Sequence, residues 1–266
     1  MTGLMGIVNI TRDSFSDGGR WFDPENAIAH AEALVANGAD VIDLGAESTH
    51  PDAEDVPAQV EIDRLAPVVD ALVARGITVS VDTRKPEVMR AMAVRGAHWI
   101  NDVSGFRSDE AVRVAASCES QLVVMFARQE DGRARKDRVE GDAVRDAMVF
   151  FEGRIAALVR AGVKKERIVL DPGMGFFLGP DAETSFDMLR RIGDLRAFGL
   201  PLLVSCSRKS FLGAVTGRPV NERGPASLAA ELYAARHGVA WIRTHDVRSL
   251  RDALRVQEEL EPRRGS

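Results

Sequence analysis

The sequence predicts an α/β fold, and within that class a single-domain (β/α)₈ TIM barrel. Short apolar runs rich in β-branched residues alternate with longer amphipathic stretches along the whole chain. This alternation is typical of parallel βαβ units, whose strands are buried on both faces. The chain has 266 residues, and a barrel of eight such units needs about 250.

The apolar runs define the expected strands in order. They are predicted at positions 4–8, 40–44, 78–82, 98–102, 121–125, 167–171, 201–205 and 240–244. Helical patterns lie between most of them, and several end in a glycine, at Gly38, Gly96, Gly162 and Gly238. Glycine at this place favours a left-handed helix C-cap that leads into the next strand.

An open, doubly wound sheet is the alternative architecture. It would carry a glycine-rich dinucleotide or phosphate-binding loop after an early strand, and the sequence has neither G-x-G-x-x-G nor G-x-x-x-x-G-K-[ST]. The barrel is therefore preferred, as one domain over residues 1–266. Its longest loop is expected in the polar segment 127–147, helical at its end, and residues 261–266 are expected to be a frayed tail.

Composition and charge narrow the class of partner. The formal net charge is -5, which argues against nucleic acid or an anionic membrane as the main partner. The two cysteines, Cys118 and Cys206, are far apart and lack the spacing of a metal site. No long uncharged apolar segment is present, so the sequence predicts a cytoplasmic protein without a membrane anchor.

Polar residues stand at the carboxyl end of nearly every predicted strand. The set comprises Asn9, Asp43, Asp82, Asn101, Asp102, Asp171, Arg243 and His245, with Met125 after strand five and residues 207–210 after strand seven. Each has a structural alternative: an aspartate there is often a helix N-cap, and an asparagine can satisfy loop backbone. Because the strand ends of a barrel meet on one face, the coincidence indicates an active site.

The order of residue types along the chain suggests the chemistry of the ligand. Carboxylates and amides occupy the early strand ends, while Arg208, Lys209, Arg243 and His245 occupy the late ones. Many barrels bind phosphate near strands seven and eight. The pattern therefore predicts an anionic leaving group there, and a neutral heterocycle with N–H donors against the carboxylates.

Seven motifs follow one another along the chain: MGIVNITRDSFSDGG (5–19), DLGAESTHPDA (43–53), SVDTRKPEV (80–88), INDVSG (100–105), LDPGMGF (170–176), SRKSFLG (207–213) and RTHDV (243–247). In these motifs and their order, the sequence resembles the dihydropteroate synthase family. The resemblance implies a TIM barrel that is usually a homodimer. It also implies a transferase that joins 6-hydroxymethyl-7,8-dihydropterin diphosphate to 4-aminobenzoate, with Mg²⁺, and releases pyrophosphate in folate synthesis.

The resemblance also implies residue roles. Asp82, Asn101, Met125, Asp171, Lys209 and Arg243 would bind the pterin. Asn9 would help to hold Mg²⁺, and it would form the catalytic set with Lys209, Arg243 and His245, the last two lining the anion pocket. The aminobenzoate would lie against Thr49, His50, Pro51, Phe176, Phe177, Lys209 and Ser210.

Departures from the usual family pattern are concentrated around the aminobenzoate site. His50 replaces the usual arginine, Phe126 the usual histidine, and Phe177-Leu178 the usual Gly-Lys pair. Together with HPDA and DPGMGFFL they resemble the Sul-type branch, which is linked to sulfonamide resistance. Phe177 is expected either to exclude the drug at the rim of the site or to fill a gap near the barrel mouth.

Two other functions remain open on the same pterin-binding barrel. One is a methyltetrahydrofolate:corrinoid methyltransferase, which has no use for SRKS beside an aminobenzoate or for a diphosphate pocket. The other is a non-catalytic pterin-binding paralogue, which the loss of the arginine at position 50 favours and the retained Asn9, Lys209, Arg243 and His245 oppose.

Overall fold

The fold was determined as a computed structural model that describes residues 2–10, 24–48, 53–129 and 141–260. The expected tail at 261–266 lies outside the described residues, as does most of the expected long loop. The predicted helical end of this loop is confirmed, because a helix begins at Ala143 and is capped by the carboxylate of Asp142.

Eight strands and the helices between them alternate along the chain. The strands are β1 (Gly3–Asn9), β2 (Val41–Gly45), β3 (Val79–Asp82), β4 (Trp99–Asp102), β5 (Gln121–Met125), β6 (Ile168–Asp171), β7 (Leu203–Val204) and β8 (Trp241–Thr244). The α-helices of the described ranges are α1 (Pro24–Ala36), α2 (Ala58–Ala74), α3 (Pro86–Val94), α4 (Asp109–Ser117), α5 (Ala143–Arg160), α6 (Ala182–Arg190), α7 (Ser210–Thr216), α8 (Gly224–Arg236) and α9 (Val247–Leu260). Short 3₁₀ helices lie at Lys165–Arg167, Gly175–Phe177, Ile192–Phe198 and Val220–Glu222.

The strands form one parallel sheet in the order β6-β5-β4-β3-β2-β1-β8-β7. The two edge strands meet at an isolated parallel bridge between Leu170 and Leu202, beside the hydrogen bond from Leu170 N to Pro201 O at 3.0 Å. The predicted barrel is therefore confirmed. Strand β7 is shorter than expected, with only Leu203–Val204 in the ladder.

A plug of apolar side chains fills the barrel beneath the polar strand ends. Its members come from seven strands and are Met5, Val41, Trp99, Val123, Val169, Leu203 and Trp241. Trp99 and Trp241 meet edge to face, with ring centroids 4.9 Å apart. Because side chains alternate between the faces of a strand, the residue two positions after a plug residue points the same way. The polar strand-end side chains therefore form a layer directly above this apolar plug.

Glycine ends four of the helical stretches as the sequence predicted. Gly38, Gly96, Gly162 and Gly238 have φ values of 99°, 89°, 99° and 81°. These conformations carry little cost only for glycine. Within the described ranges, no helix combines the length and the apolar character needed to cross a membrane.

Candidate active site

A pocket opens at the carboxyl ends of the strands. Its lining residues are Asp82, Asn101, Val103, Met125, Asp171, Gly173, Met174, Phe177, Ser205, Lys209 and Arg243. All six residues expected to bind a pterin are in this set. The strand-end argument therefore placed residues from distant parts of the sequence around one cavity.

Strand register brings the early site residues into one row. Asn9 pairs with Gly45, Gly45 with Asp82, and Asp82 with Asn101. The row crosses four neighbouring strands, and the glycine within it leaves open space: a Cβ on Gly45 would lie 3.8 Å from Asn9 Oδ1 and from Asp82 Cβ. Asn9 is exposed, and its side chain has no hydrogen-bond partner among the described residues.

Arg243 connects two carboxylates inside the barrel. Its Nε donates to Asp43 Oδ2 at 2.5 Å, and its Nη2 donates to Asp82 Oδ2 at 2.9 Å. Burial opposes its charge, but the neighbouring Asp43 and Asp82 raise the pKa of the guanidinium above its usual value. The guanidinium is thus a fixed cation between the two acids.

Asn101 lies beside the same network. Its Nδ2 donates to Asp43 Oδ2 at 3.4 Å, whereas its buried Oδ1 has no partner within the described part of the chain. An amide whose nitrogen faces a carboxylate presents its oxygen elsewhere. Asn101 therefore offers an unused acceptor in the wall of the pocket, and a buried acceptor of this kind favours a ligand with N–H donors.

Burial shifts the titration of the other polar groups. Burial raises the pKa of Asp82 to about 7, although Arg243 limits the rise. Burial likewise raises the pKa of Asp171 to about 6, against the opposing hydrogen bond from Gly173. Burial lowers the pKa of the Lys209 ammonium to about 8, and Asp171 limits that fall. Perturbed groups of this kind in a cleft are a signature of a functional site.

The loop after β6 is shaped by two glycines. Gly173 and Gly175 have φ values of 69° and 65°. A Cβ on Gly173 would collide with the carbonyl oxygen of Phe126, and one on Gly175 would lie 3.2 Å from Ser210 Oγ. Only glycine fits both positions. The loop can therefore lie directly against the start of α7.

The two phenylalanines of this loop form the short 3₁₀ helix at Gly175–Phe177 and differ in burial. Phe176 is half-buried, whereas Phe177 is 5% exposed and packs in a cluster with Val103, Met125 and Ala127. The ring of Phe177 lies 4.6 Å from Lys209 Nζ, a cation–π contact. Phe177 is thus part of the pocket wall, deeper than the rim position that the sequence suggested.

The remaining site residues lie at neighbouring strand ends. Met125 is 4% exposed and shares the wall with Phe177. Ser210 is half-buried at the first position of α7, and His245 directly follows β8. Burial lowers the pKa of His245 to about 3, and Arg208 and Arg243 act in the same direction. His245 is therefore neutral rather than one of the cations expected from the sequence.

Three expected aminobenzoate residues, Thr49, His50 and Pro51, lie outside the described residues. Within the described ranges, no group of three or more histidine, cysteine, aspartate or glutamate side chains is arranged to hold a metal ion.

Sequence reasoning noted Asp43 at a strand end but gave it no role. The structure places it at 0% exposure, one layer below Asp82, where it holds both Arg243 and Asn101. A carboxylate inside an otherwise apolar strand, VIDLG, was the signal available for it. Asp102 has a structural role but is not the helix N-cap considered for it: Ser108 caps α4, and the Asp102 carboxylate accepts hydrogen bonds from the loop N–H groups of Ser104 and Phe106.

Comparison with known proteins gives consistent relatives. The family described as "Pterin binding enzyme" matches residues 5–245. Dihydropteroate synthase type-3 of Escherichia coli is 50% identical over 262 residues, which cover 98% of this chain and 100% of the relative. Dihydropteroate synthase of Escherichia coli strain K12 is 38% identical over 256 residues, with coverage of 96% and 90%.

A solved structure agrees with the sequence relatives. The Xanthomonas albilineans dihydropteroate synthase with 4-aminobenzoic acid superimposes with a TM-score of 0.91 at 40% identity, and the match covers 98% of this chain and 94% of that chain. The chain therefore belongs to the dihydropteroate synthase family of pterin-binding enzymes, with greater similarity to the type-3 enzyme than to that of strain K12.

Proposed function

We propose that this protein condenses 6-hydroxymethyl-7,8-dihydropterin diphosphate with 4-aminobenzoate to give 7,8-dihydropteroate and pyrophosphate. The observation that carries the proposal is the pocket at the strand ends, where Asp82 and Asp171 lie with the partnerless amide oxygen of Asn101. A pterin ring is flat and bears several N–H donors along one edge. Three acceptors that line one pocket are complementary to that edge.

The pterin ring would be held on its edge and on its face. Asp171, Asp82 and Asn101 Oδ1 would accept from the ring N–H groups, while Lys209 would donate to an acceptor on the ring. Met125 and Phe177 supply apolar wall beside these groups. Arg243 is paired with Asp43 and Asp82, so it would favour the ionised form of Asp82 against the effect of burial as well as contacting the ligand.

Asn9 would contribute an oxygen ligand to Mg²⁺ bound with the diphosphate. Magnesium in phosphate-transfer sites takes one or two protein ligands and completes its shell with water and phosphate oxygens. The exposed side-chain amide of Asn9 at the end of β1 is compatible with this kind of coordination. Bound Mg²⁺ would neutralise charge that develops on the departing pyrophosphate.

The chemical step would be a dissociative substitution at the pterin methylene carbon. Among the described residues that line the pocket, none is placed as an activated nucleophile: the single serine in this set is Ser205, and the set contains no histidine. The carbon–oxygen bond to the diphosphate would break first. The aminobenzoate nitrogen would then attack the pterin cation and lose a proton, and pyrophosphate would leave.

The aminobenzoate would bind near Phe176, Phe177 and Ser210, together with Thr49, His50 and Pro51. We further propose that the protein tolerates sulfonamides. Phe177 replaces a glycine of the usual family pattern, and its ring takes up space in the pocket beside Lys209. A flat substrate would pass this ring more readily than a drug with a tetrahedral sulfonyl group.

Release of pyrophosphate on mixing both substrates tests the reaction. In the presence of Mg²⁺, purified protein should release pyrophosphate and form 7,8-dihydropteroate when the pterin diphosphate and aminobenzoate are both added. A corrinoid methyltransferase or a non-catalytic paralogue would release none, and that result would refute the proposal. Arg243→Lys would serve as the matched variant, since it keeps one charge and loses the two-sided contact with Asp43 and Asp82.

The wider setting is also proposed. We expect small-molecule substrates, no nucleic-acid or membrane partner, a cytoplasmic location, one domain over residues 1–266 and a homodimer in solution. Sedimentation equilibrium would check the dimer, because a single species with the mass of one chain would contradict it.

A further inference from the structure

One buried hydroxyl joins the ends of strands β7 and β8. Ser207 is 6% exposed, and its Oγ accepts a hydrogen bond from the backbone N–H of His245 at 3.2 Å. The same Oγ lies 2.9 Å from Nδ1 of the His245 ring. The seryl side chain therefore contacts both the backbone and the ring of a single residue.

The hydrogen bonds that the Ser207 hydroxyl can make determine which ring nitrogen of His245 carries the proton. A seryl Oγ has one hydrogen and two acceptor lone pairs. The backbone N–H of His245 occupies one lone pair, and among the described residues Nδ1 is the only acceptor within reach of the hydrogen. If Nδ1 carried a proton, the buried O–H would have no acceptor, which is unfavourable. The hydroxyl therefore donates to Nδ1, and the proton of the neutral ring lies on Nε2.

The charges around the ring favour the same neutral form. Arg208, Arg243, Lys209 and His30 all disfavour a positive ring, and burial acts more strongly than any of them. Nε2 has no hydrogen-bond partner among the described residues. It is therefore the ring atom that remains to meet a ligand.

We propose that Ser207 is a positioning residue that fixes the Nε2–H tautomer of His245, so that His245 meets the diphosphate as a neutral hydrogen-bond donor and not as a cation. The inference rests on the proposed function, with the diphosphate in the anion pocket that the family resemblance assigns to Arg243 and His245. A neutral donor stabilises negative charge on the leaving group without a proton that could be lost or gained near neutral pH. The positively charged side chains that face the ring are then the arginine and lysine residues Arg208, Lys209 and Arg243.

Nitrogen NMR reads the tautomer directly. The chain has five histidines, and the signal of His245 is assigned by comparing ¹⁵N-histidine-labelled protein with His245→Gln. We expect Nε2 of His245 to have the shift of a protonated ring nitrogen and Nδ1 that of an unprotonated one. In Ser207→Ala the ring should populate both tautomers, and Ser207→Thr should keep the original one. A wild-type ring with its proton on Nδ1, or a charged ring at pH 6, overturns the inference.

Steady-state kinetics separate positioning from general support of the fold. Ser207→Ala should raise KM for the pterin diphosphate by about fivefold to tenfold, the loss of one well-placed hydrogen bond, and leave KM for aminobenzoate unchanged. Ser120→Ala is the matched control. It removes a hydroxyl that is 7% exposed and donates to Ala97 O at 2.7 Å, beyond the residues that line the pocket, so neither KM should move.

The outcomes also distinguish this inference from the proposed reaction. Equal increases in both KM values would overturn the positioning role, because they indicate a general disturbance of the fold. The expected NMR tautomer without pyrophosphate release would refute the proposed reaction and leave the Ser207–His245 assignment supported. Pyrophosphate release with the opposite tautomer would refute only the assignment.

Discussion

Asp43 and Arg243 are 200 positions apart in the chain and form a 2.5 Å hydrogen bond inside the barrel. The carboxylate is fully buried, and one of its oxygens has no partner. The pair turns Arg243 toward Asp82, to which it donates at 2.9 Å. Asp43, for which no contact with the ligand is proposed, thus organises two residues that are proposed to contact it.

Replacing Asp43 by Asn should weaken pterin binding. Arg243 would lose one of its two anions and Asn101 its charged acceptor, so both side chains could reorient. We expect a loss of about tenfold in pterin affinity, since hydrogen bonds to charged groups contribute about 1.5–3 kcal/mol. Calorimetric titration with 6-hydroxymethyl-7,8-dihydropterin measures the change.

The control for this variant lies at the other end of the barrel. Asp40 accepts from Arg251 Nη2 at 2.7 Å and from the backbone of Leu4 at 2.7 Å. Asp40→Asn should lower stability but leave pterin affinity unchanged. Equal effects of the two variants on binding would mean that Asp43 acts only through the fold.

Asp171→Asn should lower pterin affinity by about tenfold or more, because the variant places an N–H group opposite the N–H donors of the ring. Asp171 Oδ1 also accepts from the backbone of Gly173 at 2.8 Å, so part of the loss would come from the loop. Asp171→Glu retains the charge and serves as the comparison. Unchanged binding in calorimetry would contradict the placement of the pterin.

Pterin affinity should have a maximum between about pH 7 and pH 8. The acids accept N–H donors only when ionised, and burial raises the pKa of Asp82 to about 7 and that of Asp171 to about 6. Pterin affinity should therefore fall as the pH is lowered from about 7 to below 6, where both acids become protonated. On the alkaline side it should fall as Lys209 loses its proton, since burial lowers its pKa to about 8.

Lys209→Met isolates the alkaline part of this profile. The variant keeps the apolar stem of the side chain and removes the titrating group, so the decrease above about pH 8 should disappear while the acid side remains. It should also depress kcat/KM for both substrates, because Lys209 is proposed to border both sites. The neutral pterin alcohol is the ligand for binding, so that titration of a diphosphate does not interfere. If the pterin affinity of the wild-type protein does not change with pH, the proposed contacts of the pterin with Asp82, Asp171 and Lys209 are refuted.

Phe177→Gly should lower the inhibition constant of a sulfonamide much more than it changes KM for aminobenzoate. The ring is buried against Val103, Met125 and Lys209, so its removal opens the wall on the drug side. Phe177→Leu keeps apolar bulk and should have a smaller effect. If drug and substrate respond equally to the glycine variant, Phe177 contributes packing and not selectivity.

Glu231→Gln should make stability less dependent on pH. Glu231 is 2% exposed with one partnerless oxygen, and burial raises its pKa from 4.5 to about 8. The folded state therefore holds this proton over a range where the unfolded state has lost it, and stability falls as the pH rises from about 4.5 to 8. In urea unfolding at pH 8 the variant should be more stable than the wild type, with little difference at pH 4.5. Glu166→Gln, at an exposed position, should behave as the wild type.

The sequence by itself determined the order of strands and helices, the barrel, and most of the polar residues that line its pocket. This was possible because the signals are local. Alternation of apolar runs with helical patterns fixes the βαβ units, and parallel strands then bring their carboxyl ends to one face. Asp82, Asn101, Met125, Asp171, Lys209 and Arg243 all follow from that rule.

Only the tertiary structure decided how those residues act on one another. Asp43 contacts Arg243 from across the sheet, Ser207 contacts the ring of His245, and Phe177 lies under Lys209. Each contact joins residues of different loops or strands, so no periodicity in the chain reports it. The charge states follow from the same contacts, because burial and neighbouring charges set the pKa values. His245 could be placed at the site from its position after β8, but its neutral form depends on the arginines and the hydroxyl that the fold brings to it.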